Sequence, residues 1–144
     1  MKYLILILSL FLTINLSAKD KKVIFSESAP KPIGPYSQAV KVGSTIYFSG
    51  QIALDTSSGK IAEGGAAKEA EIILNNIKNI LESAGCTFEN IVKTSIYLTD
   101  IKDFNPVNKV YSSYFKSEFP ARETIQVAGL PMGAHIEISV IAVK

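Results

Sequence analysis

The chain has 144 residues, of which 47% are hydrophobic and 19% are charged, and its formal net charge is +2. This length and composition are typical of a single globular domain and exclude a disordered or fibrous chain. Because the charge is small and the lysines are dispersed, no basic surface is expected that would bind nucleic acid or anionic lipid by bulk attraction.

The first 18 residues have the composition of a secretory signal peptide. Lys2 precedes an apolar run that reaches Leu16, and two small residues, Ser17 and Ala18, follow it. The run is shorter than the roughly 20 residues that span a bilayer. We therefore predict cleavage after Ala18, a mature domain of residues 19–144 without a membrane span, and a periplasmic or secreted location. An uncleaved tethering segment is the alternative, and the location is cytoplasmic if the leader is not used.

The first third of the mature chain favours strands. Alternating and β-branched residues predict them at 23–25, 37–42 and 45–52. Gly50, inside the third of these strands, predicts a bulge or a close backbone approach. Apolar residues spaced three and four apart then predict an amphipathic helix from Ala66 to Ala84, closed by Gly85.

The remainder of the chain predicts one more helix and three more strands. The strands are expected at 91–98, 124–127 and 135–143. The helix is expected over 103–115, with Pro106 in its first turn, where the missing N–H costs nothing. This order predicts an α+β domain in which two helices pack on one face of a mixed six-stranded sheet.

The last strand predicts which face the helices cover. Four apolar residues share one face of it, expected to be the helix-covered one: Ile136, Ile138, Val140 and Ala142. The opposite face is half apolar, with His135, Glu137, Ser139 and Ile141. A lone small domain tends to bury such a surface, so we expect an oligomer.

Cys86 is the only cysteine and His135 the only histidine. This excludes an intramolecular disulfide and a cysteine-based metal cage. Cys86 is predicted to pack as a small apolar residue near a helix end. His135, at the start of the last strand, is predicted to face solvent.

Arg122 is the only arginine in a chain whose other basic side chains are lysines. A guanidinium binds a carboxylate or phosphate through two parallel hydrogen bonds, whereas a lysine supplies a point charge. Taken alone, the residue leaves two interpretations open: it binds an anionic ligand, or it pairs with an acid of its own surface.

Five short motifs stand in order along the chain. They are Ile33-Gly34-Pro35-Tyr36-Ser37-Gln38-Ala39, Phe48-Ser49-Gly50-Gln51-Ile52, Asp103-Phe104 with Val107-Asn108, Phe119-Pro120-Ala121-Arg122, and Leu130-Pro131 through Ile136-Glu137-Ile138. Together they resemble the Rid (reactive intermediate deaminase, YjgF) family over residues 23–143. The resemblance implies a chorismate-mutase-like α+β fold and a homotrimer with clefts between its subunits. It also implies hydrolysis of reactive 2-imino acids, the tautomers of enamines, to 2-keto acids and ammonia.

The resemblance also implies roles for particular residues. Arg122 matches the arginine that binds the substrate carboxylate, and Glu137 matches the glutamate that positions or deprotonates water. Other matches to cleft residues are Tyr36, Ser49, Gly50 and Asn108. Thr124 stands where the archetype of the family has a cysteine, a position that contributes mainly backbone contacts.

Each of these residues also has a purely structural interpretation. Glu137 would be a solvated strand residue, Tyr36 a packing residue, and Asn108 an amide on a helix surface. Ser49 would satisfy a backbone group beside Gly50. An apolar cleft would raise the pKa of Glu137 and a nearby Arg122 would lower it, so the sequence leaves the direction of that shift open.

Imine hydrolysis suits these residue types. Water must reach a carbon that is already electrophilic, so a carboxylate base and a fixed substrate suffice, and no metal, cofactor or covalent nucleophile is required. The alternative function is a trimer that binds small carboxylates or partner proteins without turnover. It is motivated by the leader, because the dehydratases that release enamines are cytoplasmic. RNA cleavage is disfavoured by the near-neutral charge, and chorismate mutase activity by the presence of one arginine alone.

Overall fold

The computed structural model describes residues 20–55 and 57–144. The predicted leader, residues 1–18, lies outside them. Within the described part of the chain, no helix combines the length and the apolar character that crossing a bilayer requires.

The described residues form eight strands and two α-helices in the order βββββαβαββ. The strands are β1 Lys21–Ile24, β2 Ala39–Val42, β3 Thr45–Phe48, β4 Leu54–Asp55, β5 Lys60–Ile61, β6 Ile91–Leu98, β7 Ala121–Gln126 and β8 Ile136–Val143. The helices are α1 Gly65–Ser83 and α2 Phe104–Ser112. Short 3-10 turns lie at Phe88–Asn90, Ile101–Asp103 and Pro131–Gly133.

Six of the strands form one sheet in the order β1-β2-β3-β8-β6-β7. The β6–β7 pair is parallel and the other neighbouring pairs are antiparallel, so the sheet is mixed as predicted. Strands β4 and β5, of two residues each, form a separate hairpin that was not predicted. The prediction of an α+β domain with a mixed six-stranded sheet is confirmed.

The helix α1 agrees with its prediction to within a residue at each end. Gly85, with φ of 68°, ends it in the left-handed conformation that favours glycine. The N–H of Cys86 then donates to the carbonyl of Leu81 at 2.9 Å, which satisfies one of the carbonyls left open at the helix end. Cys86 itself is buried, as predicted.

Several boundaries differ from the prediction; the third strand, for example, ends at Phe48 and not at residue 52. Two of the other differences have a clear physical reason. The helix α2 ends at Ser112 and not at Phe115, because the Ser112 and Ser113 hydroxyls donate to the carbonyls one turn back, at 3.0 and 2.7 Å, and so compete with the helical pattern. Strand β7 begins at Ala121, three residues early, because the parallel partner β6 pairs with it from Lys93 onward.

The core lies between the sheet and the two helices. Ile136, Ile138, Val140 and Ala142 of β8 are all buried on the helix-covered face, which confirms the predicted orientation of this strand. They face the apolar stripe of α1, namely Ile73, Leu74, Ile77, Ile80 and Leu81. Burial of each large side chain stabilises the fold by about 1.5–3 kcal/mol relative to exposure.

The other face of the sheet carries apolar side chains that the single chain leaves uncovered. The register places Val23, Val40, Tyr47 and Ile141 in one row across four strands. Val23 is 54% exposed and Tyr47 is 50% exposed. We call this surface the open face of the sheet. Soluble monomers rarely expose a contiguous apolar patch of this kind.

Candidate active site

Arg122 lies on the edge strand β7 and points to the helix-covered side of the sheet. Its register partner on β6 is Thr94, whose buried side chain faces α2. The guanidinium carbon lies 4.7 Å from the centroid of the Tyr111 ring and 5.8 Å from that of Phe104. Among residues 20–55 and 57–144, no acid forms a salt bridge with it. The structural alternative, a salt bridge between Arg122 and an acid of its own chain, is therefore not formed among these residues.

Arg122 opens onto a cavity of about 390 Å³. The cavity is lined by Asn108, Tyr111, Ser112, Phe119, Pro120 and Arg122. Asn108 and Arg122, both predicted site residues, therefore contribute to one cleft. A fixed cation beside an amide and apolar walls is suited to a small carboxylate with a short aliphatic chain.

Glu137 lies on β8 and points to the open face. Its neighbours Ile136 and Ile138 are fully buried on the helix side, and its register partner on β6 is Tyr97. Glu137 is half-buried, and this burial raises the pKa of its carboxyl group above the ordinary value. The direction that the sequence left open is therefore upward within the single chain, where Arg122 faces the other side of the sheet.

Gly50 gives the Glu137 carboxylate its room. Three residues, Phe48 to Gly50, lie opposite only two residues of β8, so the strand bulges here as predicted. A Cβ atom at position 50 would lie 1.9 Å from the Glu137 Oε1 atom. Only glycine at this position leaves the carboxylate where it is, so the predicted close approach is confirmed as well.

Tyr36 and Ser49 lie near this glycine. Tyr36 and Gly50 line the same shallow depression, and the Tyr36 hydroxyl accepts a hydrogen bond from the N–H of Ile33 at 3.2 Å. The Ser49 hydroxyl donates to the carbonyl of Ser37 at 2.7 Å. This hydrogen bond joins Ser49 to the backbone of Ser37, as the structural interpretation of Ser49 expected. The Tyr36 ring is 46% exposed beside the depression.

Thr124 follows Arg122 by two residues on β7 and shares its side of the sheet, since its partner on β6 is the buried Ile96. Its hydroxyl oxygen is buried and has no hydrogen-bond partner among the described residues. It does not line the cavity at Arg122. The prediction that Thr124 binds substrate remains a prediction.

The predicted residues therefore form two groups in one chain. Asn108 and Arg122 lie at the sheet edge on the helix side; Tyr36, Gly50 and Glu137 lie on or beside the open face. Arg122 and Glu137 are separated by two strand spacings and by three residues along β8. This puts their Cα atoms roughly 14 Å apart, with side chains on opposite sides of the sheet.

His135 departs in part from its prediction. Its side chain is 53% exposed, but its Nδ1 atom lies 2.5 Å from Oε1 of the fully buried Glu69. The Glu69 carboxylate also accepts the backbone N–H of His135 at 2.9 Å. The imidazole is therefore held by a contact between α1 and the start of β8. The sequence gives no indication of this His135–Glu69 pair, because the two residues are 66 positions apart.

Tyr111 and Phe104 are site residues that the sequence did not identify as such. Tyr111 is a buried residue of α2, with an exposed fraction of 3%. The sequence gives one indication that Tyr111 belongs to the site: it follows the candidate Asn108 by three residues, and residues at this spacing share a helix face.

Replacing Gly50 with alanine should lower kcat/KM about 100-fold for the hydrolysis of 2-imino acids that the motifs imply, and should leave the melting temperature of the protein almost unchanged. The backbone at Gly50 is not left-handed, so alanine fits the chain, but its methyl group displaces the Glu137 carboxylate by about 1 Å or more. Steady-state kinetics and thermal unfolding measure the two effects. Gly129→Ala is the matched control, because an added Cβ there meets nothing within 4 Å. Activity of Gly50→Ala within twofold of the control would contradict the expected role.

Comparison with known proteins adds three findings. The family model described as endoribonuclease L-PSP matches residues 26–144. A human protein named 2-iminobutanoate/2-iminopropanoate deaminase is 54% identical over 129 residues, which cover 90% of this chain and 94% of that protein. The Rid-family protein YyfA of Yersinia pestis has 44% identity and a TM-score of 0.83 over 87% of this chain and all (100%) of that one. E. coli TdcF, solved with bound serine, has 37% identity and a TM-score of 0.80 over 85% and 98%.

Proposed function

Since this chain belongs to the family described as endoribonuclease L-PSP, the Rid family that its motifs resemble, we propose that it is a hydrolase of C=N bonds. It converts small 2-imino acids, of the 2-iminobutanoate and 2-iminopropanoate type, to 2-keto acids and ammonia. The observation that carries this proposal is the Arg122 guanidinium, which faces a cavity and has no salt-bridged acid among the described residues.

The chemistry follows from two groups. Arg122 donates two hydrogen bonds to the substrate carboxylate and fixes the position of C2. Glu137 accepts a proton from water as the water oxygen bonds to C2 and the π electrons of the C=N bond move to nitrogen. The same proton then passes from Glu137 to that nitrogen, which gives a carbinolamine. A second transfer, from its hydroxyl through Glu137 to the amine, releases ammonia as the C–N bond breaks and the C=O bond forms.

The raised pKa of Glu137 supports its role as the base. Proton transfer is most efficient when the pKa of the catalytic group approaches the working pH. Burial raises the pKa of this carboxyl in that direction. Among the described residues, none forms a hydrogen bond with this carboxylate.

We place the complete site between subunits of a homotrimer. In one chain Arg122 and Glu137 point to opposite sides of the sheet, so one substrate cannot contact both. The uncovered apolar side chains of the open face offer a surface that a second copy would bury. A sheet edge of one subunit set against the open face of the next would bring the two groups to one cleft.

The proposed activity is tested by generating the imine in place. An amino-acid oxidase oxidises 2-aminobutyrate to the imine, and semicarbazide traps whatever imine remains. Added protein should speed the formation of 2-ketobutyrate and lower the trapped fraction in proportion to its concentration. No acceleration over buffer would contradict the proposal. Binding of 2-ketobutyrate without any deamination would support instead a carboxylate-binding module without turnover.

The proposed signal peptide bears on where this reaction takes place. The family match begins at residue 26, after the proposed cleavage at Ala18. Processing there leaves the matched domain whole. N-terminal sequencing of the protein from separated cell fractions tests the proposal, and a mature chain that still begins at Met1 in the cytoplasm would contradict it.

A further inference from the structure

Two aromatic rings lie against the Arg122 guanidinium, and no acid of residues 20–55 or 57–144 forms a salt bridge with it. We propose that Tyr111, assisted by Phe104, is a positioning residue for the substrate-binding cation: the ring faces fix the Arg122 guanidinium while its N–H groups stay available for the substrate carboxylate. This inference rests on the proposed function of Arg122 and assigns the residues that prepare it.

The Tyr111 ring is itself held in place. Its hydroxyl lies 3.1 Å from the Thr94 hydroxyl, and both side chains are buried. The Phe115 ring packs against it at 4.7 Å between centroids. Thr94 is also the register partner of Arg122, so the strand pair that places the arginine backbone also orients the ring beneath its side chain.

A ring face suits this task better than a carboxylate would. An acid beside Arg122 would accept the in-plane N–H groups and neutralise the charge, so the substrate would have to displace it. A ring face attracts the cation through its electron distribution and accepts none of the in-plane hydrogen bonds. Burial raises the pKa of the Tyr111 hydroxyl, although the charge of Arg122 opposes this, so the ring stays neutral at physiological pH.

The same contact explains why arginine stands here among lysines. A planar guanidinium packs its face on an aromatic ring and keeps its N–H donors along its edge. The ammonium group of lysine is not planar and cannot divide these two contacts between a face and an edge. Arg122 and Tyr111 both line the cavity described above.

The kinetic test uses substitutions at the two rings. In Tyr111→Leu, KM for the imine and the Kd of 2-ketobutyrate should rise together, about 2- to 30-fold, with kcat within about threefold of wild type. Tyr111→Phe retains the ring and should restore most of the affinity. Phe104→Leu alters an exposed residue, should fold normally, and should raise both constants by about twofold, because its ring lies farther away.

Tyr114→Leu is the matched control. This half-buried tyrosine lies two residues beyond α2, donates to the carbonyl of Glu71 at 3.2 Å, and packs against Phe88. It should lose stability without a change in the Kd of 2-ketobutyrate. Equal losses of affinity in Tyr111→Leu and Tyr114→Leu, or in Tyr111→Leu and Tyr111→Phe, would overturn the proposal.

A spectroscopic test does not depend on catalysis. Because the chain has one arginine, ¹⁵N-labelled protein gives a single arginine Nε–H signal. A ring beneath the guanidinium shifts this signal through its ring current. Tyr111→Leu should move it toward the position found in unfolded peptides, and Tyr111→Phe should not. An unchanged signal in Tyr111→Leu would overturn the proposal even in an active enzyme. Wild-type protein that shows the shift but no deamination would overturn the proposed function and leave the ring contact in place.

Discussion

Replacing Glu137 with glutamine should lower kcat about 10²- to 10⁴-fold and leave the Kd of 2-ketobutyrate within about threefold of wild type. The amide has the size of the carboxyl group and fits against Gly50, but it cannot accept a proton from water. In the proposed site the keto acid binds to Arg122, which this substitution does not touch. Steady-state kinetics and calorimetric binding measure the two quantities.

The pH dependence of the rate distinguishes a base from an acid at Glu137. Burial raises the pKa of Glu137 above the ordinary value of 4.5. A base acts in its ionised form, so kcat/KM of the wild type should rise with pH through this raised pKa and level off above it. The residual activity of Glu137→Gln should lack that rise. A wild-type rate that falls across this range would identify Glu137 as an acid and contradict its assignment as the base.

Glu82→Gln is the control for this substitution. Glu82 lies on α1, away from both groups of site residues, in an exposed pair with Lys78 at 3.8 Å. Exposed pairs of this kind contribute at most about 1 kcal/mol to stability. This variant should therefore retain wild-type kinetics. Loss of activity here as large as in Glu137→Gln would mean that the assay reports general damage to the fold.

Two nearly inactive variants should restore activity when their subunits are mixed. Arg122→Ala removes two charge-assisted hydrogen bonds and should lower kcat/KM about 10²- to 10³-fold. Mixed and refolded with Glu137→Gln, it should form sites in which one subunit supplies Arg122 and its neighbour supplies Glu137. Random assembly makes roughly a quarter of such heterologous sites complete. We therefore expect recovery to about a quarter of wild-type activity per site.

The control for this mixture is the same pair of variants combined without unfolding. Subunits that do not exchange should give only the sum of the two residual activities. A refolded mixture that also stays at this sum, while refolded wild type regains full activity, would contradict a site shared between subunits, because no single chain in it carries both groups.

Much of the fold followed from local patterns. The three-and-four spacing of apolar residues located α1, and alternation with β-branched residues located β6, while alternation also identified the buried face of β8. Such periodicities arise from the geometry of a single element, so neighbouring residues suffice to reveal them. The end of α2 was not predicted, because the spacing of apolar residues carries no information on the hydrogen bonds that the Ser112 and Ser113 hydroxyls form with the backbone.

The sequence supplied candidate site residues but not their arrangement. The motifs identified Arg122 and Glu137 together with their expected roles. They carried no information on Glu69, a buried helix residue that binds His135 across 66 positions of the chain. The same holds for Tyr111, whose contact with Arg122 joins a helix to an edge strand. Pairings of this kind depend on where whole elements pack.

The sequence by itself determined the order of elements, the helix-covered face of the sheet and the glycine at the bulge, and its family resemblance proposed two side chains for imine chemistry. Only the tertiary structure decided that Arg122 and Glu137 point to opposite sides of one sheet, that Gly50 makes room for the Glu137 carboxylate, and that the Tyr111 and Phe104 rings lie against the guanidinium. The physical reason is that the side to which each strand residue points depends on its register with neighbouring strands, and register is fixed by contacts between segments far apart in the chain.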